Sequence, residues 1–224
     1  VCLHGRLDEY NVVGPLVSVV TSSSYNHMSV LGDTVTEIAT EKGGIIKPGR
    51  PVVSAPQQAE AREPLLRIAE ERHAPIIEAN WEYDFEPLDH SQTFQTFHIT
   101  SCHQAVTSHN ISTNSVLKLR MPLLGAHQIE NAATAVAVLD QLRLRGYHIT
   151  RRSIQAGFRE VHWPARFEIL REKPPVVIDS AHNGDSMQRL VETIDEYFPQ
   201  WPFILVFGAS ADKSMSDMLS TILP

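Results

Sequence analysis

Residues 22–49, SSSYNHMSVLGDTVTEIATEKGGIIKPG, constrain this chain more than any other stretch. They follow an apolar strand pattern, PLVSVVTS, at 15–22. Thr34 and Glu37 have the spacing of a capping box, with Asp33 just upstream as an alternative cap. Gly43 and Gly44 stop the helix, and Pro48-Gly49 turns the chain into a second apolar strand, PVVSA. A strand, a polar loop, a helix and a second strand follow one another, and short strands and helices go on alternating, so the fold class expected is α/β. His27 falls beyond the carboxyl end of the first strand, where open α/β sheets bind ligands. Lys42 falls in the last turn of the helix. Taken alone, a loop histidine is usually solvated or capping, and a lysine there complements the helix dipole.

The wording of this stretch adds a resemblance. LGDTVTEIATEKGGIIKPG resembles the LGxTxxEIAxEKAGIIKxG signature of the folylpolyglutamate synthase and dihydrofolate synthase family, a branch of the Mur ligases. The resemblance implies that His27 is a magnesium ligand. It also implies that Lys42 is carbamylated and supports a second metal ion. A neutral amine captures carbon dioxide and becomes an anionic oxygen donor, which suits a hard cation. Burial favours the neutral amine that this requires. Asn26 stands where the pattern has Asp, and Gly43 where it has Ala.

Further groups of residues along the chain carry the same resemblance in the same order. Residues 1–13, VCLHGRLDEYNVV, are similar to VGLGGRLDATNV, so Arg6, Leu7 and Asp8 are expected at a pteroate pocket. Cys2, His4, Glu9 and Tyr10 replace Gly, Gly, Ala and Thr of that pattern. GAHQIENAATAVAVLDQLRLRG at 125–146 reads as the longest helix and resembles G-x-H-Q-x-x-N-A-A-x-A, whose matching Asn131 would contact ATP. His162-Trp163-Pro164-Ala165-Arg166 resembles a W-P-G-R interdomain hinge, with Ala165 in place of Gly and Arg166 directed at the ATP phosphates. DSAHNGDS and FGASADKSMSDM are similar to D-G-A-H-N-P-x-S and F-G-x-x-x-D-K-D, which assigns Asp179 and the adjacent His182 to the nucleotide. By residue type alone, Asn131 and Asp179 are more often local caps.

The remaining pattern completes the expected architecture. Gln58–Arg72 reads as an amphipathic helix and Pro75–Glu78 as a strand. FQTFHIT (94–100) and SVLKLRM (115–121) read as strands of a small antiparallel patch, with a surface excursion over 82–93. Ser153–Glu160 and Ser186–Phe198 read as helices, and Phe167–Arg171 as a short strand. The apolar runs at 176–181 and 203–209 read as buried strands covered on both faces. The expected whole is part of a P-loop-type central ATPase domain over 1–162, then part of a Rossmann-like Mur ligase C-terminal domain over 163–224.

Composition removes several classes. A net charge of −7 offers no basic surface for nucleic acid. No apolar run approaches the ~20 residues of a membrane span. Two cysteines, Cys2 and Cys102, make neither a disulfide framework nor a metal motif, in keeping with a cytoplasmic protein. The motif G-T-x-G-K-[GS], which cradles phosphates in this family, is absent from the 224 residues, so the chain reads as an internal piece of a longer protein, inactive by itself. The resemblance implies a ligase using ATP and Mg2+ to add L-glutamate to dihydropteroate or a folate through an acyl phosphate, a monomer when full length. Another Mur-type amino acid ligase acting on peptidoglycan precursors, a non-catalytic relative and a degenerate fragment are the alternatives.

Overall fold

The computed structural model describes residues 9–22, 34–102, 116–199, 202–210 and 213–223. The chain forms two compact units. One comprises residues 1–85, 99–116 and 130–150, and the other 86–98, 117–129 and 151–224.

The first unit contains a parallel sheet of β1 (Ser18–Val20), β2 (Val52–Ser54) and β3 (Ile76–Glu78), in that order. The register pairs Ser18 with Val52 and Val52 with Ile76. Two crossover helices connect the strands, α1 (Val35–Gly43) and α2 (Ala59–Glu71). Val20, Val35, Ala39, Ile46, Val52, Leu65 and Ile68 form a continuous core between sheet and helices. This is why β2, buried along its whole length, is Val-rich rather than alternating.

The capping box predicted for α1 forms. Thr34 Oγ1 accepts the Glu37 amide at 3.2 Å, and Glu37 Oε2 accepts the Thr34 amide at 3.2 Å. The other end of α1 is fastened by side chains from elsewhere in the sequence. Arg72 donates to the carbonyls of Gly44, at 2.9 Å, and Ile46. Lys47 donates to Asn11 Oδ1 at 2.7 Å and to the Asn11 carbonyl, while Asn11 Nδ2 donates to Gly44 O at 3.3 Å. The last carbonyls of α1 accept the amides of residues 44–46, and these side-chain bonds fasten the turn that follows the helix. A Cβ on Gly43 would stand 2.6 Å from Ile68 Cδ1. The larger Ile68 side chain thus occupies the space an alanine would need.

A three-stranded sheet has the order β4 (Tyr83–Ser91), β5 (Phe94–Ser101) and β6 (Leu117–Met121). The excursion expected over 82–93 is therefore wrong: most of it is strand. Its side chains are exposed from Asp84 to His90, so the sequence lacks the apolar alternation by which a half-buried strand is read. By contrast β6 buries Leu117, Leu119 and Met121 and exposes Lys118 and Arg120. Two further helices are α4 (Ala126–Leu144), which follows the short α3 (Ala79–Glu82), and α5 (Arg151–Glu160). Gly146, at φ +88, follows the end of α4.

In the second unit β7 (Glu168–Glu172) and β8 (Pro175–Ile178) pair antiparallel, with a register shift between Ile169 and Arg171. Helices α6 (Gly184–Tyr197) and α7 (Met215–Ile222) follow. Full burial of the two apolar runs is not observed. Val176 and Ile178 are exposed, and residues 202–210 carry no strand. Ile204 and Val206 are each 94% exposed, whereas Leu205, Phe207 and Ala209 pack against Met187, Met218 and Ile222. Only one side of each run is covered among the described residues. An apolar run records the side chains available for burial, not how many layers cover them. No described helix is long and apolar enough to cross a membrane.

Candidate functional site

In the first unit the site is built around Lys42. Helical side chains lean toward the helix N-terminus. Lys42, although in the last turn of α1, reaches back so that its Nζ donates to the Ser22 carbonyl at 3.4 Å. Ser22 lies just past the carboxyl end of β1. The amine is thereby placed at the sheet edge where ligands bind in α/β folds. Lys42 is half-buried, and burial lowers its pKa from the usual 10.5. A lower pKa enlarges the neutral fraction that can add carbon dioxide, so the residue fits the chemistry of a carbamate. Asn131, also in the first unit, is exposed on the second turn of α4. His27, Arg6, Leu7 and Asp8 lie outside the described residues.

The second unit brings Arg166 and Asp179 into one small construction. Asp179 Oδ2 accepts the Phe167 amide at 2.7 Å, and its Oδ1 accepts the Ala181 amide at 2.7 Å. Ala165 and Phe167 flank Arg166 and both have positive φ, +56 and +45. Such a conformation costs a non-glycine residue roughly 1–2 kcal/mol. It is held by the Asp179 bond, by Glu168 Oε2 accepting the Ala165 amide at 2.9 Å, and by burial of Phe167 against Tyr197 and Phe198. Arg166 itself points its charge from an exposed position. His182 is exposed, and its Nδ1 lies 3.0 Å from the Ser180 carbonyl. Next to it Asn183 caps α6, its Oδ1 accepting the Ser186 amide at 2.8 Å.

Two more residues belong to this unit's polar network and were passed over in the sequence. Gln95, buried in β5, donates from Nε2 to the carbonyls of Leu123, at 2.5 Å, and Gly125, at 3.0 Å. Its Oε1 lies 3.5 Å from the Tyr197 hydroxyl, whose pKa burial pushes up. These bonds fix the turn that launches α4. His127 sits in the first turn of that helix, with Nε2 3.0 Å from Gln128 Nε2. It is the His of the G-x-H-Q motif, which was the available signal. Gln95 had none, since its partners are backbone groups about 30 positions along the chain.

Burial lowers the His127 pKa below 6.5; Arg189 and Arg166 act in the same direction, and Asp179 and Glu192 against it. The unfolded chain therefore binds the proton more tightly than the folded one. Stability from this group is complete above the unfolded value of ~6.5 and is lost as pH falls toward and through the folded value. Urea midpoints of the wild type and His127→Gln are expected to diverge between about pH 7 and pH 5, the wild type losing more. Parallel curves would show that His127 is not held neutral.

The family model for the Mur ligase glutamate ligase domain matches residues 165–223. Over 225 aligned residues the chain is 34% identical to dihydrofolate synthase/folylpolyglutamate synthase of Bacillus subtilis, covering 98% of this chain and 49% of that protein. A solved structure titled FPGS-AMPPCP-folate complex superposes with a TM-score of 0.80 at 29% identity, covering 88% of this chain and 46% of that one. E. coli FolC in complex with DHPP and ADP superposes with a TM-score of 0.80 at 28% identity, covering 98% and 48%. The chain spans about half the length of the curated relatives it matches. The α/β architecture is that of these synthases, and over nearly its whole length the chain is similar to members of the folylpolyglutamate synthase and dihydrofolate synthase branch of the Mur ligases.

Proposed function

We propose that the whole protein is an ATP-dependent ligase that joins the amino group of L-glutamate to a carboxylate of dihydropteroate or of a folate. The observation that carries this reading is the placement of Lys42, a half-buried amine of lowered pKa at the carboxyl end of β1. A lysine that only complemented a helix dipole would have no reason to turn back to that edge. The relatives' bound AMPPCP, ADP, folate and DHPP supply the substrate classes.

The reaction divides into two transfers. A carboxylate oxygen of the pterin acceptor attacks the γ-phosphorus of ATP, ADP leaves, and an acyl phosphate forms. The glutamate amine then attacks the acyl carbon, inorganic phosphate leaves, and the nitrogen loses its proton as the amide forms. Arg166 binds phosphate oxygens. Asn131, Asp179 and His182 orient the nucleotide, and Arg6, Leu7 and Asp8 line the pterin pocket. His27 and a carbamylated Lys42 would hold Mg2+, which would supply positive charge that offsets the charge on the phosphates. In this reading residues 1–162 belong to the central ATPase domain and 163–224 to the C-terminal domain, and the protein works as a cytoplasmic monomer.

The full-length gene product should release ADP over many turnovers only when acceptor, L-glutamate and magnesium are all present. ADP release at the same rate without acceptor would contradict a ligase. Product formed only with a peptidoglycan precursor would assign it to another branch of the superfamily.

A further inference from the structure

Two carboxylates hold the backbone on either side of Arg166. Ala165 and Phe167 take left-handed conformations on either side of the arginine, at φ +56 and +45. Each has its amide held by a separate carboxylate: Glu168 at 2.9 Å from Ala165, and Asp179 at 2.7 Å from Phe167. The second Asp179 oxygen is bound to the Ala181 amide at 2.7 Å, so this one side chain ties the start of β7 to the residues after β8. The Phe167 ring is buried, with centroids 5.9 Å from Tyr197 and 6.2 Å from Phe198. The backbone is thus fixed before and after Arg166, while the guanidinium stays exposed.

We propose that Glu168 is a positioning residue that aims Arg166 at a nucleoside triphosphate, and that it does so because position 165 is alanine. Glycine adopts positive φ without steric cost and would hold this turn unaided. Alanine does so only under constraint, and the Glu168 carboxylate supplies one by accepting the Ala165 amide. Asp179 does the same for Phe167, so its part in nucleotide binding includes shaping the backbone that carries Arg166. The inference rests on the ligase reading above.

The test is ATP titration by calorimetry together with steady-state kinetics on the full-length gene product. Glu168→Ala is expected to weaken ATP binding by ~10-fold, the order expected when a phosphate-binding group is misplaced. KM for glutamate and for the pterin acceptor should stay within about 2-fold, because neither meets Arg166 in this reading. Glu168→Gln keeps an acceptor oxygen and should restore most of the affinity. In an Ala165→Gly background the loss from Glu168→Ala should shrink to ~2-fold or less, since the two sites are coupled. Unchanged ATP affinity in Glu168→Ala, equal rises in every KM, or the full loss persisting with Ala165→Gly would each overturn the proposal. Failure of the wild type to bind ATP would instead remove the ligase reading, and this inference with it.

Discussion

Lys42→Arg should leave the full-length protein as poor a ligase as Lys42→Ala, with kcat lower by ~10²–10³ in both. Charge at this position decides the outcome. An unmodified lysine at the carboxyl end of β1 would carry a positive charge. A carbamate at the same place reverses that sign and offers oxygen donors. Burial lowers the Lys42 pKa, which favours the uncharged amine that can form the adduct. Arginine keeps its proton and cannot form one. ATP affinity should fall less than kcat, because charge builds up on the phosphoryl group as it transfers. A lysine that merely reaches Ser22 and complements the dipole of α1 would tolerate arginine. Near wild-type turnover in Lys42→Arg, at saturating ATP and magnesium, would therefore sink the carbamate assignment.

Gly125→Ala should cost about 2–4 kcal/mol of stability, from left-handed strain and overpacking together. Gly125 has φ +98, and an added Cβ would stand 2.5 Å from Thr193 Oγ1 and 3.0 Å from the His127 ring. Thr193 cannot yield easily. It is buried, and its hydroxyl donates to the Arg189 carbonyl at 2.7 Å within α6. Gly125 O also accepts Gln95 Nε2 and the Gln128 amide, so displacing this backbone breaks bonds on two sides. Urea denaturation followed by circular dichroism measures the effect. A loss below ~0.5 kcal/mol, the level of an ordinary surface substitution, would mean that the turn before α4 is not fixed as described.

Local signals made much of the first unit legible. The capping box of α1, the glycines at its end and the Val-rich strands each act within a few residues, and each formed as read. The C-terminal helix α6 began two residues earlier than expected because Asn183 takes the cap position. What escaped reading depends on distant partners. Strand β4 has no apolar alternation and is held in its sheet by a backbone ladder. At 203–209 the apolar residues promised a strand, yet burial reaches only every other side chain. The site divides in the same way. Motifs carried over from the family named Lys42, Asn131, Arg166, Asp179 and His182. Glu168 and Gln95 act by accepting or donating to backbone groups, which leaves no trace in side-chain pattern. The fastening of α1 by Asn11, Lys47 and Arg72 is similar. Asn11 and Lys47 lie in separate motifs 36 positions apart, and the fold brings them together.

The proposed function requires that the full-length protein form its amide bond by way of an acyl phosphate. Heavy-oxygen labelling of the acceptor carboxylate tests it most directly. The full-length gene product would be incubated with labelled dihydropteroate or folate, ATP, magnesium and L-glutamate, and both products weighed by mass spectrometry. The account predicts an acceptor extended by one glutamyl residue, with one labelled oxygen transferred to inorganic phosphate for each amide formed. Glutamylated product accompanied by unlabelled phosphate would contradict it.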